Sequence, residues 1–172
     1  MLPATETIES PLRNPTVLRL ARLAGLLFGG IFAGFLVAVL VLELSMRDVD
    51  GIVYTQMRHI ELVGLDVLAT VTLLPTLVAT AIVIAITFRN KGFARWLPIV
   101  AFALLAGVLI LTVIVNLPIN ADQRDWIVSM PPTDWASVRD RWQISHAVRT
   151  VAAVLAFGAL CLAAIPGRSA KP

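Results

Sequence analysis

The sequence predicts an all-α fold, a polytopic membrane protein built as a bundle of four transmembrane helices. Three observations lead there. First, the 172-residue chain is 58% hydrophobic and 15% charged, with a mean hydropathy of +0.86. A soluble domain sits at roughly 45–50% apolar and about 25% charged, and a fold this small has too little interior to hide the surplus. Second, apolar runs recur four times along the chain. Each can supply the roughly 20 residues needed to cross about 30 Å of hydrocarbon. Helix is the form that satisfies such a segment's backbone without water. Third, apart from Arg149, Lys and Arg gather at the ends of these runs and between them, where the positive-inside rule reads them.

A single membrane domain is expected over 1–172, with spans at about 24–43, 62–88, 97–117 and 135–165. Ahead of the first span, MLPATETIESPLRNPTVLRLARLAG is polar or mixed for about twenty residues, and no small-x-small cleavage site follows the apolar run. It reads as a retained first span rather than a signal peptide. Span one contains GLLFGGIFAGF, in which Gly25 and Gly29, and again Gly30 and Gly34, stand four apart. Small residues at this spacing let two backbones approach closely, either within the bundle or in a homo-oligomer. Span two carries Gln56, His59 and Asp66 on one face, since seven residues make nearly two turns. Its Thr72, Thr76 and Thr80 are hydroxyls able to bond their own helix. Span three closes on Asn116-Leu-Pro-Ile-Asn120, where Pro118 removes a backbone donor. Span four runs to Pro166-Gly167, a helix stop.

Orientation follows from the basic residues. One side carries Arg13, Arg19, Arg22, Arg89, Lys91, Arg95, Arg168 and Lys171; the other carries Arg47, Arg58, Arg124, Arg139 and Arg141. The first set lies on short segments beside the spans, which places both termini and the 89–96 loop in the cytoplasm of a cell-membrane protein. The same asymmetry accounts for the net charge of +3. No basic stripe with interleaved aromatics points to nucleic acid. The lone cysteine, Cys161, allows neither an internal disulfide nor a thiolate metal cluster. Phosphate-loop, nucleophile-elbow and HExxH patterns are absent from the sequence.

The residues suited to chemistry collect at the outer ends of the spans. On span four, Trp135, Arg139, Trp142, His146 and Arg149 are spaced 4, 3, 4, 3. They fall within about 40° of one line on a helix, as a stripe roughly 21 Å long. Tryptophans at headgroup depth serve as anchors or as binding surfaces. Arg149 lies about one turn inside the apolar segment, where a charge costs about 2.5–3.5 kcal/mol on insertion scales and turns inward. Asn116 and Asn120 share a face and either cap the helix end or present amides to a ligand. Asp66 needs a cation, for which Arg149 is the candidate. His59 is either a solvated interfacial residue or part of the site. Glu43 belongs to the same outer layer.

G-x-F-A-G in span one, N-x-P-x-N closing span three and W-x3-R-x2-W-x3-H-x2-R opening span four together resemble the anthrone-oxygenase-like family, long described as a domain of unknown function. The resemblance extends over nearly the whole chain in length and span number, and its specific part is residues 116–149. It implies a four-helix membrane bundle and oxidation of anthrones to anthraquinones by O₂ without metal or flavin. Asn116, Asn120, Trp135, Arg139, Trp142, His146 and Arg149 match the family pattern. The residues suit that chemistry. His146 or His59 can act as a base toward an acidic C–H, and Arg149, Arg139 or an Asn amide can hold the resulting oxyanion. Trp142 and Trp135 can stack on a flat hydrophobic substrate, and Asp66 completes the binding set. The expectation is therefore a cofactor-free, metal-free oxygenase with membrane lipid as its surroundings. Two alternatives stand beside it at this point. One is a non-enzymatic protein binding a lipid, a quinone or a protein partner; the other is a haem protein with His59 and His146 as axial ligands. A transporter is disfavoured by the lack of repeats or a broken mid-membrane helix.

Overall fold

A computed structural model describes residues 15–89 and 95–165. The basic residues Arg13, Lys91, Arg168 and Lys171 and the Pro166-Gly167 stop lie outside the described residues. Within them the protein is an all-α bundle of four helices long and apolar enough to cross a membrane. The elements are α1 (Pro15–Ser45), α2 (Gly51–Thr87), α3 (Trp96–Leu111), a π-helical turn (Thr112–Asn116), α4 (Leu117–Arg124) and α5 (Trp135–Ala164). The third span is α3, the π turn and α4 in sequence. The spans form a ring in which α1 packs on α2, α2 on α3, α3 on α5, and α5 back on α1.

Two helices run well beyond the ends of their apolar runs. α2 begins at Gly51, so most of the segment expected to be an outer loop is helix. Asp50 caps it, with Oδ1 accepting from Val53 N–H at 2.9 Å, and the added turns bury Tyr54, Thr55, Arg58 and Glu61. Its 37 residues span about 55 Å at 1.5 Å each, well beyond the hydrocarbon. The third span likewise does not end at Pro118. Pro118 has no N–H to bond the carbonyl four residues back, and the chain absorbs the defect just before it. Leu117 N–H bonds Thr112 C=O, five residues back, and helix resumes to Arg124. A single π turn inside an α-helix is a common accommodation of this kind. Asn116 and Asn120 consequently lie within the helical span and do not cap its end.

The core lies between the spans and contains Phe32, Leu36, Leu73, Leu105, Ala153, Ala156 and Leu160. Gly25 and Gly29 serve this packing: a Cβ at Gly25 would touch Ala79 at 3.8 Å, and one at Gly29 would meet Thr76 Cγ2 at 3.2 Å. Thr72, Thr76 and Thr80 donate to carbonyls of their own helix, so these three residues leave no free hydroxyl in the C-terminal half of α2. At the opposite end Gly51 seats an indole. A Cβ there would lie 2.8 Å from Trp135 Nε1 and 3.0 Å from Pro131 Cγ. Neither neighbour is a flexible chain end, so Gly51→Ala is expected to destabilise the bundle by about 1–3 kcal/mol, read as a lowered unfolding midpoint in detergent.

Candidate functional site

Polar side chains in the half of the bundle that carries the α1–α2 and α4–α5 connections form two layers. The upper one is organised by Arg58, which the sequence reading had counted as an outer-loop cation. It is 2% exposed and every nitrogen is engaged. Nη1 donates to Glu43 Oε1 at 2.9 Å and to Glu61 Oε2 at 2.6 Å. Nε donates to Gln123 Oε1 at 2.9 Å and Nη2 to Asn120 Oδ1 at 3.0 Å. Its guanidinium also lies over the Trp142 ring, 4.3 Å from the centroid. Gln143 Nε2 holds Glu43 from α5, donating to Oε2 at 3.1 Å and to the backbone carbonyl at 2.9 Å. Above this layer Met46, Tyr54 and Trp126 form a buried cluster with Trp135 packed against it.

Arg58 was missed because it stands in the polar stretch TQMRHIE, outside the apolar run of span two. A signal was present all the same. Tyr54, Arg58, Glu61 and Leu65 follow the same 4, 3, 4 spacing that marks the stripe on α5. Glu61, Gln123 and Gln143 join the network from the same kind of polar segment.

The lower layer borders a cavity of about 200 Å³. Phe32, Phe35, Leu36 and Val39 of α1 and Leu65, Ala69 and Leu73 of α2 supply most of its apolar wall. Arg58, Asp66, Asn120, Trp142, His146 and Arg149 supply its polar one. Trp142 Nε1 donates to Asn120 Oδ1 at 2.7 Å. The Trp142 ring stacks on His146 with centroids 4.7 Å apart and planes 8° from parallel. Arg149 Nη2 lies 2.8 Å from His146 Nδ1, and His146 Nε2 lies 3.0 Å from Leu36 C=O. An arginine nitrogen only donates and a carbonyl only accepts. Nδ1 is therefore the ring's acceptor and Nε2 carries its proton: His146 is a neutral imidazole whose one lone pair is held by a cation. Arg149 also donates through Nη1 to Thr112 Oγ1 at 2.8 Å, at the start of the π turn, while its Nε has no partner among the described residues.

The stripe on α5 is thus real as a face but divided in depth. Trp142, His146 and Arg149 border the cavity. Trp135 and Arg139 sit above the Arg58 layer, where Trp135 packs on Tyr54 at 5.6 Å. Arg139 lies over the Trp135 ring at 5.0 Å, donating to Asp140 Oδ1 and to Arg47 C=O. Asn116 is behind the cavity wall, where its Oδ1 accepts from Ser145 Oγ at 2.7 Å, tying the π turn to α5.

Two expectations require correction. Asp66 borders the same cavity as Arg149 but does not pair with it. It accepts from Asn120 Nδ2 at 2.9 Å and forms a salt bridge with Arg124. α4, which carries Arg124 over Asp66, exists because the helix continues past Pro118. With the two side chains 48% and 30% exposed, that pair contributes at most about 1 kcal/mol. His59 is the second correction. It bonds Gln123 C=O at 3.0 Å and borders a shallow surface depression with Leu62, Val63 and Arg124. It is one residue away from the buried face of α2 and so turns out of the cavity. His59 and His146 therefore do not face one another as axial ligands. Among the described residues no three His, Cys, Asp or Glu side chains converge as a metal site.

No curated protein and no solved structure matches the chain. The family described as anthrone oxygenase matches residues 66–159, more than half of the chain. That stretch contains Asp66, Asn120, Trp142, His146 and Arg149 of the polar wall, whereas Glu43, Arg58 and Glu61 precede it. By this match, the chain belongs to the anthrone oxygenase family.

Proposed function

We propose that this protein oxidises a flat polycyclic anthrone-type substrate with O₂ in the membrane, without metal, flavin or haem, and that His146 and Arg149 perform the proton and charge chemistry. The observation that carries this reading is their contact. A neutral imidazole with its lone pair on an arginine, at the edge of an apolar cavity, is a base and an oxyanion donor held together at rest. A substrate carbonyl near Arg149 draws the guanidinium away from His146, and Nδ1 becomes free to take a proton. The acidic C–H of an anthrone, flanked by two rings and vinylogous to its carbonyl, gives that proton up. Its electron pair delocalises onto the ring oxygen beside Arg149, where a preorganised cation stabilises it.

The electron-rich anion then reacts with O₂. Transfer of one electron and recombination of the radical pair forms a C–O bond and a peroxide, which takes up a proton. Loss of the remaining hydrogen from that carbon as the O–O bond breaks gives the new carbonyl and water. Anthrone and O₂ thus become anthraquinone and water, and O₂ accepts all the electrons. Trp142, with Arg58 over its ring and His146 stacked on it, holds the imidazole in place at the cavity wall, with Asn120 beside it as a polar contact.

Oxygen uptake by the purified protein in nanodiscs tests this. Added anthrone is expected to be consumed one-to-one with O₂, with anthraquinone as product, and the rate is expected to be indifferent to chelators. Activity lost with a chelated equivalent of metal, or no uptake above the spontaneous rate, sinks the reading.

The proposed setting is the cell membrane, with both termini in the cytoplasm. The structure bears on the Lys/Arg argument here, because Arg58 is bonded inside the bundle and does not act as a loop charge. Single cysteines at Asp48 and Asp122 in a Cys161→Ala chain are expected to react with an impermeant maleimide on intact cells. One at Lys91 is expected not to, and its labelling would reverse the topology.

A further inference from the structure

We propose that the cavity is entered sideways from the lipid, through a gap between α2 and the third span whose lips are Thr70, Leu74, Val113 and Leu117, by a flat apolar ligand that goes in polar edge first. The identity of the ligand rests on the oxygenase reading; the route rests on four observations of its own.

The bordering residues of the cavity grade from buried to exposed in one direction. On α1 and α5, Phe32, Leu36, Trp142 and His146 are at most 4% exposed. Leu74, Val113 and Leu117 are 46%, 52% and 41% exposed, and Thr70 is exposed beside them. All four lie on α2 or the third span.

The packing between α2 and α3 is also the thinnest of the four helix contacts around the ring. On one side of the gap the helix is α2; on the other, Val113 lies in the π turn, where the ladder is already relaxed ahead of Pro118. Of the bundle's seams, this one combines a loose contact with an irregular backbone.

The end of the cavity toward water is closed. Arg58 sits across it, bonded at every nitrogen to Glu43, Glu61, Gln123 and Asn120, and the Met46, Tyr54 and Trp126 cluster covers that layer. An aqueous route through this layer would have to break buried charge-assisted bonds, each worth about 1.5–3 kcal/mol. A lipid-side route asks only for rotation of Leu74, Val113 and Leu117. The polar residues of the Arg58 layer are thus the plug of that end.

Polarity runs along the same line. The lips are apolar apart from the Thr70 hydroxyl, which donates to Asp66 C=O at 2.9 Å. The deep wall holds Trp142, His146 and Arg149. A phenol or ketone edge therefore travels inward to the cations, and the hydrocarbon rings trail toward the lipid they came from. An apolar cavity of about 150 Å³ already takes a benzene ring. The cavity of about 200 Å³ has room for one such ring, with the remainder of the ligand in the mouth.

The test uses Trp142 as a reporter and does not depend on turnover. The chain has four tryptophans, so Trp96→Phe, Trp126→Phe and Trp135→Phe leaves Trp142 alone in a protein held in lipid nanodiscs. 1,4-Dibromobenzene, which partitions into the bilayer, is expected to quench Trp142 strongly, and aqueous acrylamide is expected to leave it untouched. Leu74→Phe with Val113→Phe, a plug in lipid-facing positions that tolerate bulk, is expected to cut the dibromobenzene quenching several-fold. Should the triple replacement fail to fold, the same comparison is made in Trp96→Phe, and the portion of quenching lost on plugging is the readout. Acrylamide quenching as effective as dibromobenzene, or quenching indifferent to the plug, overturns the lateral route. A protein inactive on anthrone that still shows the plug-sensitive pattern keeps the route and loses the oxygenase reading. An active protein quenched from water does the reverse.

Discussion

His146→Ala is expected to lower the rate of anthrone oxidation by roughly 10²–10⁴-fold, the range a positioned general base supplies. Alanine also removes the acceptor for Arg149 Nη2 and the ring stacked on Trp142, so a slow enzyme alone does not separate chemistry from structure. His146→Gln does. Its amide oxygen can accept from Arg149, but it has no basic nitrogen. If His146 is the base, the glutamine variant stays folded and is about as slow as alanine, with kcat falling and KM nearly unchanged, as expected for an interaction made in the transition state. Arg149→Met is expected to lose roughly 10²–10³-fold, the range for removal of one oxyanion donor. The single losses are not expected to add in the His146→Gln, Arg149→Met double variant, because the two residues act on one proton transfer. A fully active His146→Gln eliminates this histidine as the base. Since His59 faces away from the cavity, the proton would then have to leave by a group outside the proposed pair.

The spans and the α5 stripe were legible because both are periodic. Hydrophobic run length fixes a membrane helix, and 4, 3, 4, 3 spacing fixes a helix face whatever packs against it. Depth along that face is a tertiary property. Nothing local to Trp135 or Arg139 says that Arg58 and its carboxylates will lie between them and the cavity. Arg58 itself escaped notice because hydropathy ends span two near Leu62, whereas Asp50 starts the helix eleven residues earlier. The partner of Asp66 was misassigned for a related reason. Pro118 reads as an end, yet a π turn carries the helix past it and delivers Arg124. In both cases a helix outlasts its apolar segment because its buried side chains find polar partners in place of lipid.

The largest effect on stability is expected at Arg58. In Arg58→Met, Glu43 at 0% and Glu61 at 6% exposure lose the cation they share, while Gln123 and Asn120 each lose a donor. Breaking a buried ion pair from one side costs about 3–5 kcal/mol, because the surviving charge stays desolvated. Two carboxylates on one guanidinium put the expectation at the upper end of that range. The cost is one of imbalance and not of missing contacts, and this separates it from a simple cavity effect. Glu43→Gln and Glu61→Gln placed on top of Arg58→Met are expected to recover most of the loss, since neutral amides need no counter-charge and can bond Gln123 and Gln143 instead. Denaturant titration in detergent, followed by Trp142 emission in the Trp96→Phe, Trp126→Phe, Trp135→Phe background, reads both quantities; the indole lies under the guanidinium and reports the layer directly. A cost below about 1 kcal/mol for Arg58→Met would be that of a solvated surface pair. Water would then reach the Glu43–Arg58–Glu61 layer, and the plug that directs ligands to the lipid side would not be sealed.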